Sequence, residues 1–165
     1  MNAIVHELNQ EAATTRRVLE RVPEDQLTWK PHPTSMTLGQ LAMHIATIPG
    51  GIAHILANDS HDAPPDSIGK APQPGNRQEI LDAHAKSIAG AEGFLEGLTP
   101  EKSAAIWHLS VGGKEVLAAP RGGVIRSIML NHWYHHRGQL SVYLRELNVA
   151  VPSIYGPSAD ENPFG

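Results

Sequence analysis

The chain has 165 residues, 41% of them hydrophobic, which is enough to bury one core without covalent staples; the absence of cysteine excludes disulfides, thiolate metal ligands and a cysteine nucleophile. Seventeen acidic residues against thirteen basic ones give a formal charge of −4, and no stretch concentrates Lys and Arg with aromatic residues, which argues against a nucleic-acid partner. Residues 2–17 are polar without an apolar leader core and no later run approaches a membrane span, so a cytoplasmic protein with no membrane partner is expected.

Residues 3–21 place Ile4, Leu8, Ala12, Thr15, Val18 and Leu19 at helical spacing and predict a first helix, stopped by Pro23. Leu27-Thr28-Trp29-Lys30-Pro31-His32-Pro33 reads as extended loop, because a residue before proline is biased away from helix; Trp29 is expected to plug one end of the core. A second helix is predicted over about residues 38–57, where Thr37 and Gln40 form a capping-box pattern and Leu41, Ile48, Ile52 and Ile55 an apolar stripe. Pro49, Gly50 and Gly51 predict a kink one turn beyond His44, since proline forfeits a backbone bond to the preceding turn.

Residues 60–75, rich in Pro, Asp and Gly, read as a long crossover. A third helix is expected to follow Asn76, with Glu79 at the capping-box position, and to run through Leu98 before Pro100. The helical period then breaks: Ile106–Val111, the pair Gly112-Gly113, and Lys114-Glu115-Val116-Leu117 predict a short hairpin. A fourth helix is predicted to begin near Gly122 or Gly123 and to end near Asn148, ahead of a tail without periodicity. Four amphipathic segments with two long connections imply an all-α fold over residues 1–165, a single four-helix-bundle domain with long crossovers and a short β-hairpin between helices three and four.

The chemistry-bearing feature lies in the fourth helix. His132 and His136 are four residues apart, so they project about 40° apart in direction and roughly 6 Å along the axis. They fall within the stripe of Ile125, Ile128, Met129, Leu140, Tyr143 and Leu147, which turns both imidazoles toward the core. His44 occupies the stripe of the second helix. Three imidazoles can therefore converge if the two helices are neighbours, and a bound divalent metal then satisfies them; ordinary hydrogen bonds inside a metal-free core are the alternative. Three protein ligands would leave a coordination position open, which suits Lewis-acid chemistry better than a closed structural site.

Among the other candidates, His6, His32, His54, His61 and His108 lie at helix edges or in loops and are expected to be solvated. His135 is assigned to packing, an interface or a hydrogen bond behind the ligands, and His84, near the stripe of Ile80, Ile88, Ala91, Leu95 and Leu98, is a candidate fourth ligand. Arg137 is expected on the far face as a solvated or interface charge, and Gly138 at a close helix approach. Gln139 on the ligand face could donate to a bound water or substrate or pack as an ordinary amide, while Tyr155 and Asp160 could close over the metal or simply cap the tail.

Several blocks together resemble the DinB-like (damage-inducible) family of metalloenzyme-like proteins. They are Trp29-Lys30-Pro31-His32-Pro33, Thr37-Leu38-Gly39-Gln40-Leu41-Ala42-Met43-His44, His132-Trp133-Tyr134-His135-His136-Arg137-Gly138-Gln139-Leu140 and Tyr155-Gly156-Pro157-Ser158-Ala159-Asp160-Glu161. The resemblance implies a four-helix bundle holding a divalent metal, commonly zinc or nickel, on His44, His132 and His136, often in a homodimer. It also implies a metal-dependent transferase acting with a low-molecular-weight thiol and a small-molecule substrate. A metal-dependent hydrolase and a non-catalytic stress-response binder of metal or small molecules are the alternatives, and zinc is the expected metal.

Overall fold

The structure, a computed structural model, describes residues 3–67, 69 and 71–164. It is mostly helical with one small sheet: α1 (Ala3–Leu19), a 3₁₀ turn (Glu24–Gln26), α2 (Leu38–Leu56), β1 (Ser60–Ala63), α3 (Arg77–Glu96), α4 (Pro100–Ala104), β2 (Ile106–Val111), β3 (Lys114–Pro120), α5 (Arg121–Val124), a π-helical segment (Ile125–Asn131) and α6 (His132–Glu146).

α2 is the central element. It packs on α3 on one side and α6 on the other, while α1 closes against both α3 and α6. Its sequence explains the position, because Leu38, Leu41, Ala42, Met43, Ile45, Ala46, Ile48, Ala53 and Leu56 are buried on more than one face. The capping box forms: Gln40 N donates to Thr37 Oγ1 at 3.1 Å, and Thr37 N to Gln40 Oε1 at 3.0 Å. The helix continues through Pro49 to Leu56. Gly50, the residue after Pro49, lies close against α3: its N–H donates to Ser87 Oγ at 2.7 Å, and a Cβ there would come within 2.7 Å of Ser87 Cα. Close helix approach is made at Gly50 and not at Gly138, where a Cβ would meet nothing within 4 Å.

α3 begins as its cap predicts. Glu79 N donates to Asn76 Oδ1 at 2.9 Å, and the Glu79 carboxylate accepts from Gly75 N at 2.9 Å and Asn76 Nδ2 at 3.1 Å. Trp29 is partly buried and meets Tyr143 edge-on, ring centroids 5.6 Å apart, at the end of α6.

The all-α expectation gives way to a three-stranded sheet in the order β1-β2-β3. β2 and β3 form the expected hairpin, with Val111 opposite Lys114 and both turn glycines at positive φ, 58° and 79°, as a two-residue turn requires. β1 pairs parallel to β2, Ser60 opposite His108. Ser-His-Asp-Ala has no apolar alternation, so nothing local marks it as a strand; its edge is held instead by the Asp62 carboxylate, which accepts from Gly113 N at 3.0 Å.

The fourth predicted helix is not uniform. The π-helical stretch takes an extra residue per turn, so an apolar stripe read at α period through residues 122–147 slips in direction before α6 begins. The fully buried stripe of α6 is Trp133, Arg137, Leu140 and Leu144, and His132 and His136 sit half-buried at its edge.

The slip also relocates Arg137. Expected as a solvated or interface charge, it is 1% exposed, because the far face of α6 is covered by α1 and the C-terminal tail. Its Nη2 pairs with Glu11 Oε2 at 2.6 Å and donates to Tyr155 Oη at 2.5 Å, while Nη1 donates to Thr15 Oγ1 at 3.0 Å and to the Glu11 carbonyl at 3.2 Å. The guanidinium lies over the Tyr134 ring at 5.3 Å and over the Tyr155 ring at 5.0 Å from their centroids. The tail is tied further by Arg17 to Glu161 and by Asp160, which accepts from Arg145 and from Val151 N.

Candidate metal centre

The fold brings His44 from α2 against His132 and His136 of α6. Ring centroids are 5.3 Å apart for His44 and His132, 4.6 Å for His44 and His136, and 4.5 Å for His132 and His136. Each offers one nitrogen, and these nitrogens all lie within 4.8 Å of one another, close enough to hold a metal ion. The rings are half-buried, so they are dry enough to favour an ion and open enough to admit one.

The protonation pattern suits a cation. His136 Nδ1 lies 2.7 Å from Gln139 Oε1, an acceptor, so its proton sits on Nδ1 and Nε2 carries a lone pair. That Nε2 faces His132 Nε2 at 2.8 Å. A proton on His132 Nε2 leaves Nδ1, which is buried without a hydrogen-bond partner, as an unsatisfied acceptor; a proton on Nδ1 sets two lone pairs against each other. A cation shared by the two Nε2 atoms removes the repulsion.

Electrostatics act in the same direction. Burial, then the neighbouring imidazoles of His136 and His132, pull His44 down to about 4. Burial also lowers His132, with the Ile128 carbonyl acting the other way, and lowers His136 against its hydrogen bond to Gln139. All three rings are therefore neutral at neutral pH, the state a metal requires.

Gln139, expected to donate to a bound water or substrate or to pack as an ordinary amide, accepts from His136 Nδ1 and so holds that ring in one tautomer. The Gln139→Leu variant is expected to fold normally and to bind zinc 10- to 100-fold more weakly, read by competition with a chromophoric chelator.

The remaining candidates stand apart. His6, His32, His54 and His108 are exposed and His61 partly so, while exposed His135 touches the His136 ring at 5.1 Å between centroids. Tyr155 and Asp160 cap the tail, and among the described residues neither is hydrogen-bonded to the three imidazoles. His84 is 3% exposed and lies against Trp133, with Nε2 lacking a partner, and does not join the cluster.

Burial, with Arg16 acting the same way, lowers His84 to about 4. Its unfolded pKa is near 6.5, so between roughly pH 6.5 and 4 the unfolded chain takes a proton that the folded one refuses, and stability falls as pH falls. Urea denaturation from pH 7 to 4 is expected to show the wild type losing on the order of 2–3 kcal/mol more than His84→Leu; parallel profiles would contradict it.

Residues 7–140 match the DinB superfamily. The chain belongs to the DinB superfamily. Within it, this DinB-superfamily chain is 27% identical over 154 residues to the uncharacterized protein YrdA of Bacillus subtilis (strain 168), covering 92% of this chain and 85% of that one. It is 28% identical over 152 residues to the uncharacterized protein YjoA of the same organism, covering 88% and 90%. Crystal structures share the fold: a DinB-like protein of Bacillus cereus has a TM-score of 0.72 at 22% identity over 94% of this chain and 97% of its own. The DinB-like YjoA of Bacillus subtilis has a TM-score of 0.69 at 21% identity over 99% and 97%. No helix among the described residues is long and apolar enough to cross a membrane.

Proposed function

We propose that this four-helix-bundle protein binds a divalent ion, zinc by default and nickel as the next choice, on His44, His132 and His136, and uses it to transfer a small thiol to an electrophilic small molecule. The observation that carries the reading is the convergence of three neutral imidazoles from two helices. A divalent ion in such a three-nitrogen site, with a position left over, acidifies a thiol or water and polarises an electrophile.

The chain's own residues support thiol over water. Among the described residues the cluster is three histidines with no carboxylate in it to act as a general base, and a thiol needs less help than water to lose its proton near neutral pH. Gln139 orients His136, and the half-buried setting keeps the imidazoles unprotonated and limits competing water. The family resemblance extends the reading to a cytoplasmic homodimer.

Incubating the zinc-loaded protein with a low-molecular-weight thiol and an activated electrophile tests it by product formation. Transfer abolished by His132→Ala supports the reading. Hydrolysis of the electrophile without thiol incorporation would make the protein a hydrolase instead, and silence across a broad panel would favour a non-catalytic binder.

A further inference from the structure

His132 begins α6 directly after the π-helical segment, and the junction alters which carbonyl its backbone uses. In an α-helix the amide of residue 132 would donate to the Ile128 carbonyl, four residues back. Here it donates to the Ser127 carbonyl, five back. The Ile128 carbonyl is thereby released from its α-helical donor beneath the His132 ring, because helical side chains lean toward the N-terminus and lie over the residues three and four before them.

That carbonyl meets a need of the ring. As a ligand through Nε2, neutral His132 carries its one proton on Nδ1, and a buried N–H without an acceptor is costly. His136 has the Gln139 amide oxygen for this purpose, 2.7 Å from its Nδ1. His132 Nδ1 is buried and, among the described residues, has no full hydrogen-bond partner. The Ile128 carbonyl faces the ring as a backbone acceptor and favours its protonated form. With Nε2 turned to His136 Nε2 at 2.8 Å, Nδ1 stops short of a full bond to that oxygen. π-Helical turns are uncommon and gather at functional sites, and a ligand imidazole is regularly oriented by an acceptor on its second nitrogen.

We propose that the π-helical segment is a positioning device for the metal centre: by sending the His132 amide to Ser127, it frees the Ile128 carbonyl to accept from His132 Nδ1 and so aims Nε2 at the ion. The inference rests on the metal reading above. It makes Ile128 a positioning residue through its backbone, the counterpart of Gln139 behind His136.

Two measurements test it. In zinc-loaded protein isotopically labelled at histidine nitrogen and isoleucine carbonyl carbon, NMR is expected to show His132 ligating through Nε2. Its Nδ1 proton should exchange slowly and couple across the hydrogen bond to the Ile128 carbonyl carbon. An ester replacing the peptide bond between Ile128 and Met129 leaves that carbonyl a poorer acceptor, and should weaken zinc binding on the order of 10-fold in chelator competition. The same replacement one bond later, between Met129 and Leu130, deletes a backbone N–H equally but spares the Ile128 carbonyl, and should change affinity less than about twofold. The NMR result is read on unaltered protein, so a misfolded ester does not silence the test.

Ligation through Nδ1, a freely exchanging Nδ1 proton, or equal losses from the two esters would overturn the proposal while leaving the metal site standing. A wild type that takes up no zinc would overturn the metal reading and this inference with it.

Discussion

His132→Ala is expected to leave untagged protein nearly free of divalent metal, where the wild type carries close to one ion per chain. The structure places three nitrogens within 4.8 Å of one another, and removing one of three imidazoles takes away a direct ligand, whereas loss of a group that merely orients a ligand already costs 10- to 100-fold in affinity. Each of His44→Ala, His132→Ala and His136→Ala should therefore weaken zinc binding by more than about 100-fold. His135→Ala, at an exposed neighbouring position, should not.

Elemental analysis after purification and competitive zinc titration read both results. The pH dependence has a definite sign: burial depresses all three imidazoles, so loading should persist below the usual histidine range and fail as pH approaches 4, where His44 takes its proton. Full loading of His132→Ala would dismiss the centre.

Arg137→Met is expected to cost about 3–5 kcal/mol in urea denaturation, because it leaves the Glu11 carboxylate, 16% exposed, without its cation. The substitution keeps most of the side-chain volume, so the loss reports on charge and hydrogen bonding more than on a void. Tyr155 loses its guanidinium partner at the same time, and the tail it belongs to should become more sensitive to proteolysis. A double variant, Arg137→Met with Glu11→Leu, should recover part of the loss, since the cost lies in a buried charge left alone. A loss under about 1 kcal/mol would show that the network contributes little.

The legible parts of the fold were those written in local chemistry. Thr37 with Gln40 and Asn76 with Glu79 mark the starts of α2 and α3 because a side-chain acceptor next to free N–H groups is a short-range event, and both caps form. Gly112-Gly113 marks the hairpin for the same reason, since positive φ at two successive residues is cheapest for glycine. β1 was hidden: Ser60, His61, Asp62 and Ala63 become a strand by pairing with β2, a contact made across more than forty residues of chain.

The π-helical segment was hidden too, and with it the burial of Arg137. A period assumed uniform from residue 122 to 147 could not register one extra residue per turn, so the stripe pointed the imidazoles to the centre of the core and the guanidinium to solvent.

By itself the sequence determined that His132 and His136 share one helix face, because helical pitch sets two residues four apart side by side, and that α2 carries His44 on an apolar stripe. Only the tertiary structure decided that these two helices are neighbours, that Gln139 fixes the His136 proton and that His84 stays outside the cluster. The difference is one of range: pitch and capping are set within a turn of helix, while the meeting of three rings depends on how Gly50 lets α2 settle against α3, and on how α1 and the tail close over Arg137.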